Sequence, residues 1–553
     1  MEKTILIGGA AGKGTAVTSY SIGKIFCALG YYVFNYRDYP SLIRGGHNFN
    51  VLTISDKPVA SHRNKYDIIL AFDQKTIDFH QKNLNKKGFV VGDKNLKAKK
   101  LYGIDIKPIL EKLKAPQIIE NDIIIGWFFK YFGADKHFLL EEAGKIFGGS
   151  KIDLIKKAIE IGYDLAKEKE NPPVGGKRNG KKKYFISGSQ GMGVGAINAG
   201  IDIYIAYPMT PATPVLHFLA SKQKDYNFSA LQLENEIGVV NAALGASFAG
   251  AKTMVGTSGG GFALMTEAMS FSGISELPLV VYLAQRTGPA TGVPTYTAQS
   301  DLKFALNAGH GEFLRIVVAP GDAAEAITRT QEAFYLSSKY RTLSIVINDK
   351  HGAESDYSFD ELKISSLPSK RFIIDNPPQD YKSYKITKDG ISPRAVPGQG
   401  PFVRGTSYEH NEYGNTIEDA EWTVKMNEKR MVKYKNIEKE VNEKLNPVSV
   451  YGKGENLIIG WGSTKGAIVD ALPNLKDFRF LQVSYISPFP KKDVEKEIKK
   501  SKKVILVENN TTGLLGDVIA EQTGYIIKDK VLKYDARPFT PDDIINKIKK
   551  VKS

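Results

Sequence analysis

Between residues 203 and 347 the sequence alternates short apolar runs with helical stretches, and this alternation restricts the fold more than any other feature. The runs cover 203–206, 253–257, 279–283, 316–318 and 343–347, with helix-forming segments between most of them. Strands that alternate with helices pair in parallel, and the helices cover both faces of the sheet they form. The expected class is therefore α/β, with several domains built on mostly parallel, helix-covered sheets. In such sheets a ligand binds outside the carboxyl ends of the strands. The residues that directly follow these runs are where function is to be sought.

A second α/β pattern lies nearer the N-terminus. Residues 4–7 read as a strand, Gly8 to Gly14 as a loop and 16–29 as a helix, with strands following at 32–36, 49–54 and 67–72. The clearest seam is 167–183, which opens Lys-Glu-Lys-Glu-Asn-Pro-Pro and continues through Gly175, Gly176 and a basic run. Proline, glycine and charge without apolar periodicity mark a solvated linker. The expected segments are an N-terminal domain at 1–166, the linker at 167–183, and a central domain at 184–354. An irregular connecting stretch at 355–445 and a C-terminal α/β domain at 446–553 complete the chain. For 553 residues, three to four domains of about 100–200 residues is the ordinary count.

Composition excludes several classes. Cys27 is the only cysteine, so neither a disulfide framework nor a cysteine-ligated cluster or zinc site fits within one chain. Cys27 itself lies in an apolar helical stretch and reads as a small buried hydrophobe. No apolar run approaches the roughly 18 residues that cross a membrane. The N-terminus turns at once into a glycine-rich loop, so no secretory leader is expected and the expected compartment is the cytoplasm. The formal net charge is +16. Its lysines are spread along solvated faces with acids interleaved, which favours solubility or an acidic protein partner over nucleic acid.

Five motifs stand out. The loop Gly8-Gly9-Ala10-Ala11-Gly12-Lys13-Gly14-Thr15 fails as a P-loop, because Gly14 separates the lysine from the hydroxyl. It fails as a dinucleotide fingerprint because its glycine spacing is reversed. Tyr207-Pro208-Met209-Thr210-Pro211 follows a strand, and Thr210 is suited to cap a helix with Pro211 in its first position. Leu233-Glu234-Asn235-Glu236 opens a helix crowded with small residues. One acid there complements the helix dipole; a second, at Glu236, would be desolvated. Thr257-Ser258-Gly259-Gly260-Gly261 is a turn whose glycines admit the close approach of another backbone or of a cofactor. Finally, Gln285-Arg286-Thr287-Gly288-Pro289 and onward to Thr295 forms a loop after the most apolar strand, where Arg286 suits a bidentate carboxylate clamp.

In this order, the motifs resemble the alpha subunits of 2-oxoacid:ferredoxin oxidoreductases. Tyr207 to Pro211 matches the family's Tyr-Pro-Ile-Thr-Pro, with Met209 for isoleucine, a swap that keeps volume and polarity. The Glu-x-Glu helix, the Thr-Ser-Gly turn and the Gln-Arg loop have counterparts at the positions above. Later matches are Ser392-Pro393-Arg394, Glu409-His410-Asn411-Glu412 and, more loosely, Glu508-Asn509-Asn510 with Gly513. The N-terminal segment resembles the separate gamma subunit through Gly8 to Gly14 and Ile43-Arg44-Gly45-Gly46-His47.

The resemblance implies a central domain of the pyrimidine type found in thiamine diphosphate enzymes. It implies Glu236 as the acid that hydrogen-bonds the cofactor's aminopyrimidine ring, with Ser258 and Gly259 beside the cofactor. Tyr207, Pro208, Met209, Thr210 and Arg286 would bind the substrate, with Arg44 closing over it. The family's Gly-Asp-Gly magnesium motif is absent, since Gly92-Asp93 is followed by Lys94, and so are the cluster cysteines. A beta subunit is therefore expected to hold the diphosphate, Mg2+ and a 4Fe-4S cluster, with coenzyme A as co-substrate and ferredoxin as acceptor. Competing readings are the same chemistry with another electron acceptor, a nucleotide- or nucleic-acid-binding protein, and a non-catalytic scaffold.

Overall fold

The computed structural model describes residues 2–41, 46–166, 180–362 and 364–552. The chain divides into two compact units. The first joins Met1–Ser187 with Ser355–Leu362 and Thr540–Asn546, and the second takes the remainder. Arg44 and residues 167–179 of the expected linker lie outside the described residues.

The first unit is built on an eight-stranded sheet. Leu101–Ile104, Leu84–Asp93, Tyr66–Ala71 and Glu2–Gly9 pair in parallel. From Glu2–Gly9 onward, Asn48–Ser55, Tyr32–Asp38, Asp356–Phe359 and Tyr184–Ser187 pair antiparallel. Two of these strands come from beyond residue 166. Tyr184–Ser187, expected to open the central domain, instead closes the edge of the first sheet. Asp356–Phe359, expected within the connecting stretch, lies beside it. Asp356 fixes this arrangement by accepting hydrogen bonds from Asn35 (2.7 Å) and from Arg37 (2.8 Å) on the neighbouring strand.

The second unit holds two sheets. In the seven-stranded one, Ser229–Gln232, Ile203–Ala206, Thr253–Thr257, Leu279–Gln285, Leu343–Asp349 and Arg315–Val318 run parallel in that spatial order, and antiparallel Tyr485–Ser487 closes the edge. Leu279–Gln285 and Leu343–Asp349 are buried at every position, as strands with helices on both faces must be. The expected strands thus form the sheet, each within two residues of its predicted end. The five-stranded sheet orders Val448–Gly452, Phe478–Val483, Asn456–Gly460, Val504–Glu508 and Asp529–Leu532, parallel except for its first pair.

The stretch expected to be irregular from 355 to 445 contains a 25-residue helix, Ala420–Lys444. Its buried apolar side chains are few, namely Met426, Ile437 and Val441, so it shows little apolar period. Buried charge docks it instead: Lys429 and Lys433 both pair with the fully buried carboxylate of Glu276.

Candidate active site

Four neighbouring parallel strands bring four of the motifs to one edge. Ser229–Gln232 leads to Glu236, Ile203–Ala206 to Tyr207–Pro211, Thr253–Thr257 to Ser258–Gly261, and Leu279–Gln285 to Arg286. The register pairs Gly256 with Ala206 and Thr257 with Leu283, so the strand ends are level and their loops meet.

Glu236 is the first residue of the helix Glu236–Phe248, which Asn235 caps by accepting from the Gly238 N–H at 2.8 Å. Of the two acids, Glu234 is exposed and Glu236 is 3% exposed. Its Oε1 has no hydrogen-bond partner in the structure, and a buried polar atom left alone is costly. That oxygen lies over Gly261 beside the Thr257 hydroxyl. A Cβ on Gly261 would collide with both, which is why this position of the turn has no side chain. Ser258 is fully buried with its hydroxyl likewise unpartnered. An orphaned carboxyl oxygen above a side-chain-free cradle suits a planar heteroaromatic ring carrying a hydrogen-bonding nitrogen, as thiamine diphosphate does.

Arg286 turns back across the sheet edge and donates from Nη1 to the Thr210 carbonyl at 2.9 Å. The Thr257 hydroxyl lies 3.9 Å from the Met209 sulfur. The Tyr207–Pro211 loop therefore touches both the glycine turn and the arginine. Thr210 does not cap a helix, contrary to expectation. The N–H groups of Ala212 (2.8 Å) and Thr213 (3.2 Å) both bond to the Met209 carbonyl, so a tight turn intervenes and the helix begins at Thr213, with Pro214 in its opening turn. The Thr210 side chain is thereby released from the capping role assigned to it.

Two further polar groups at this edge escaped the sequence reading. Asp301 stands against the start of the helix Gly259–Ser275, its Oδ2 2.8 Å from where a Cβ on Gly259 would be. Burial pushes its carboxyl up to about 6, against the opposing pull of the Arg286 charge. Thr295, at the end of the Arg286 loop, is buried with an unpartnered hydroxyl. Both lie in or just beyond a flagged motif, but only folding shows which polar residues of a long loop turn inward. Ser392, Arg394, Glu409 and His410 lie away from this edge. Arg394 donates to the Ser247 carbonyl at the far end of the Glu236 helix, and Glu409 pairs with Arg430 at 2.6 Å.

The glycine loop in the first unit is also accounted for. Lys13 pairs with the buried Glu120 at 3.0 Å, and Asn121 donates to the Lys13 carbonyl at 2.9 Å. The lysine that made a phosphate loop tempting is thus held by a neighbouring helix. Among the described residues no group of three or more His, Cys, Asp or Glu side chains could hold a metal, and no helix is long and apolar enough to cross a membrane.

A family model described as "Pyruvate flavodoxin/ferredoxin oxidoreductase, thiamine diP-bdg" matches residues 194–429, which include the whole edge just described. A second, "Pyruvate ferredoxin/flavodoxin oxidoreductase", matches 4–165. The alpha subunit of 2-oxoacid:ferredoxin oxidoreductase from a Sulfolobus species is 32% identical across all of this chain and 97% of the relative. The chain belongs to this family of alpha subunits. The Saccharolobus solfataricus member is 33% identical over all of this chain and 98% of its own. Among solved structures, a 2-oxoglutarate:ferredoxin oxidoreductase from Magnetococcus marinus, with 2-oxoglutarate, coenzyme A and succinyl-CoA bound, aligns over the full length of both chains. Its TM-score is 0.89 at 27% identity. The α/β architecture and the order of motifs are those of an oxidoreductase alpha subunit, and nothing in the comparisons supports a nucleic-acid-binding reading.

Proposed function

We propose that this chain is the alpha subunit, with a fused gamma-like domain at 1–166, of an enzyme that oxidatively decarboxylates a 2-oxoacid to acyl-CoA and CO2 and reduces ferredoxin. The buried, unpartnered Oε1 of Glu236 above the Gly261 cradle carries this reading. Thiamine diphosphate, when bound, supplies the nucleophilic carbon and the electron sink that decarboxylation needs. Residues 188–354 form the pyrimidine-type domain, 363–445 connect it, and most of 446–539 forms the C-terminal domain.

With the cofactor bound, Glu236 Oε1 would face the ring nitrogen and serve as the proton-transfer group there, a role its seclusion from water suits. Ser258 and Gly259 line the same turn. Arg286, oriented by the Thr210 carbonyl, has its remaining N–H groups left for a substrate carboxylate, with Tyr207, Pro208, Met209 and Thr210 forming the wall beside it. A beta subunit holds the diphosphate, Mg2+ and the 4Fe-4S cluster, because this chain has one cysteine and lacks the Gly-Asp-Gly motif. The assembly works in the cytoplasm.

Substituting Glu236→Gln tests the assignment. The assembled enzyme should keep its fold and its beta subunit and lose about two orders of magnitude in turnover, the scale of a proton-transfer group. A near-normal Glu236→Gln beside an inactive Glu234→Gln would reverse the assignment within the pair.

A further inference from the structure

We propose that Gln299 is a positioning residue for the 2-oxoacid site, locking the Arg286 loop into a crevice of the C-terminal sheet. This rests on the reading of Arg286 as the carboxylate clamp and adds what holds that loop in place.

The loop leaves the central sheet at Arg286, and its base is zipped. The Thr287 N–H bonds to the Tyr296 carbonyl (3.3 Å), the Thr287 hydroxyl to the Thr297 carbonyl (3.1 Å), and the Val293 N–H to the Thr287 carbonyl (3.0 Å). Two residues further on, Gln299 is fully buried and uses both its backbone groups and both ends of its amide. Its N–H bonds to the Asn509 carbonyl (2.8 Å), and its own carbonyl accepts from Asn510 Nδ2 (2.9 Å). Its Nε2 donates to the Trp461 carbonyl (2.9 Å), and its Oε1 accepts the Asn509 N–H (2.9 Å).

The partners mark a particular place. Trp461 follows Asn456–Gly460 and Asn509 follows Val504–Glu508, and these strands are parallel neighbours. From Asn456–Gly460 the chain crosses to Phe478–Val483 on one side, then returns past it to Val504–Glu508 on the other. The gap between them is thus a topological switch point, where a doubly wound sheet ordinarily binds a ligand. Gln299 of the same chain fills it. Gly462, at φ 55, is shaped around the plug: a Cβ there would stand 2.9 Å from Gln299 Nε2. A crevice suited to a ligand has become a socket for the substrate loop, which gives the C-terminal sheet a part in substrate binding.

The test uses the enzyme assembled with its beta subunit. Gln299→Leu keeps most of the volume and removes both amide bonds. It should raise the KM for the 2-oxoacid roughly five- to tenfold, the scale of one or two neutral hydrogen bonds, with kcat and the KM for coenzyme A little changed. Amide hydrogen exchange over 287–298 should quicken while the helix Gly259–Ser275 keeps its protection. Added to Arg286→Lys, the change should raise KM little further, because both act on one contact. The milder Gln299→Asn, one methylene short with both polar ends kept, should shift KM and exchange less in the same direction, and stands in if the leucine variant fails to fold. Unchanged KM and exchange in these variants would overturn the proposal, as would a fall in kcat with loop exchange unaltered. If Arg286→Lys leaves the 2-oxoacid KM unchanged while Gln299→Leu still loosens the loop, the clamp assignment fails and the anchor stands. If Arg286→Lys raises KM and Gln299→Leu alters neither readout, the anchor alone is wrong.

Discussion

Arg286 shows most plainly how one residue's role depends on its setting. Its guanidinium is partly buried, which lowers its pKa from the ordinary arginine value, while Asp301 pulls the other way. A partly desolvated cation oriented by the Thr210 carbonyl suits the proposed role of receiving a carboxylate on two points. Arg286→Lys keeps the charge and loses the planar fork. The expected cost is about 1.5–3 kcal/mol, read as a KM for the 2-oxoacid raised by roughly ten- to a hundredfold. A simple aldehyde, which has no carboxylate, is the control. An equal loss on both compounds would make the arginine a structural element of its loop. Among single residues, Glu236 and Arg286 could be singled out as candidates from what precedes and follows them. The small residues of its helix already pointed to a desolvated Glu236, which the structure finds buried; the sequence could not show that Thr210 would leave its cap to the Met209 carbonyl, because that depends on how the chain turns after its strand.

The helix Ala420–Lys444 illustrates the corresponding limit at the scale of an element. Apolar period exposes the central strands, since a strand buried on both faces is apolar throughout. This helix docks through ion pairs and leaves no such trace, and the edge strand Ser229–Gln232 is mostly exposed and equally hidden. Glu276 faces Lys429 and Lys433 with Arg341 nearby, and these cations hold its carboxyl well below the usual range. Burial pushes Lys433 down to about 7 against the pull of Glu276, with the neighbouring Lys429 charge adding to the fall. Glu276→Gln leaves two lysines buried without a counter-charge and should cost about 3–5 kcal/mol, measured as the shift of a urea unfolding curve; a loss below about 1 kcal/mol would mean that apolar contacts dock the helix. In the first unit, burial raises the Asp122 carboxyl to about 7, above an unfolded value of about 4. The folded state then binds more protons between these pH values, so this group lowers stability as pH rises from about 4 to about 7, and the loss is complete above that. Asp122→Asn should therefore melt higher than wild type at pH 8 and equally near pH 4. A gain of the same size at both would place its origin elsewhere than in this charge.

At the scale of the whole molecule, the proposed function makes this chain one side of a site completed by a beta subunit. The fold class was readable because alternation of strand and helix is written along the chain, and the meeting of the motifs at one sheet edge because each follows a parallel strand. The junction of the first sheet was not readable, because it takes strands from residues 184–187 and 356–359 that only pairing brings together. The most direct test compares the chain alone with the chain co-expressed with the neighbouring gene product. Alone, it should be colourless, hold no stoichiometric iron or sulfide, and reduce no ferredoxin. The co-purified assembly should show the visible absorption of an iron–sulfur protein and reduce ferredoxin only when 2-oxoacid and coenzyme A are both present. Iron and full activity in the isolated chain, or an assembly loaded with cluster and thiamine diphosphate that oxidises no 2-oxoacid, would contradict the account.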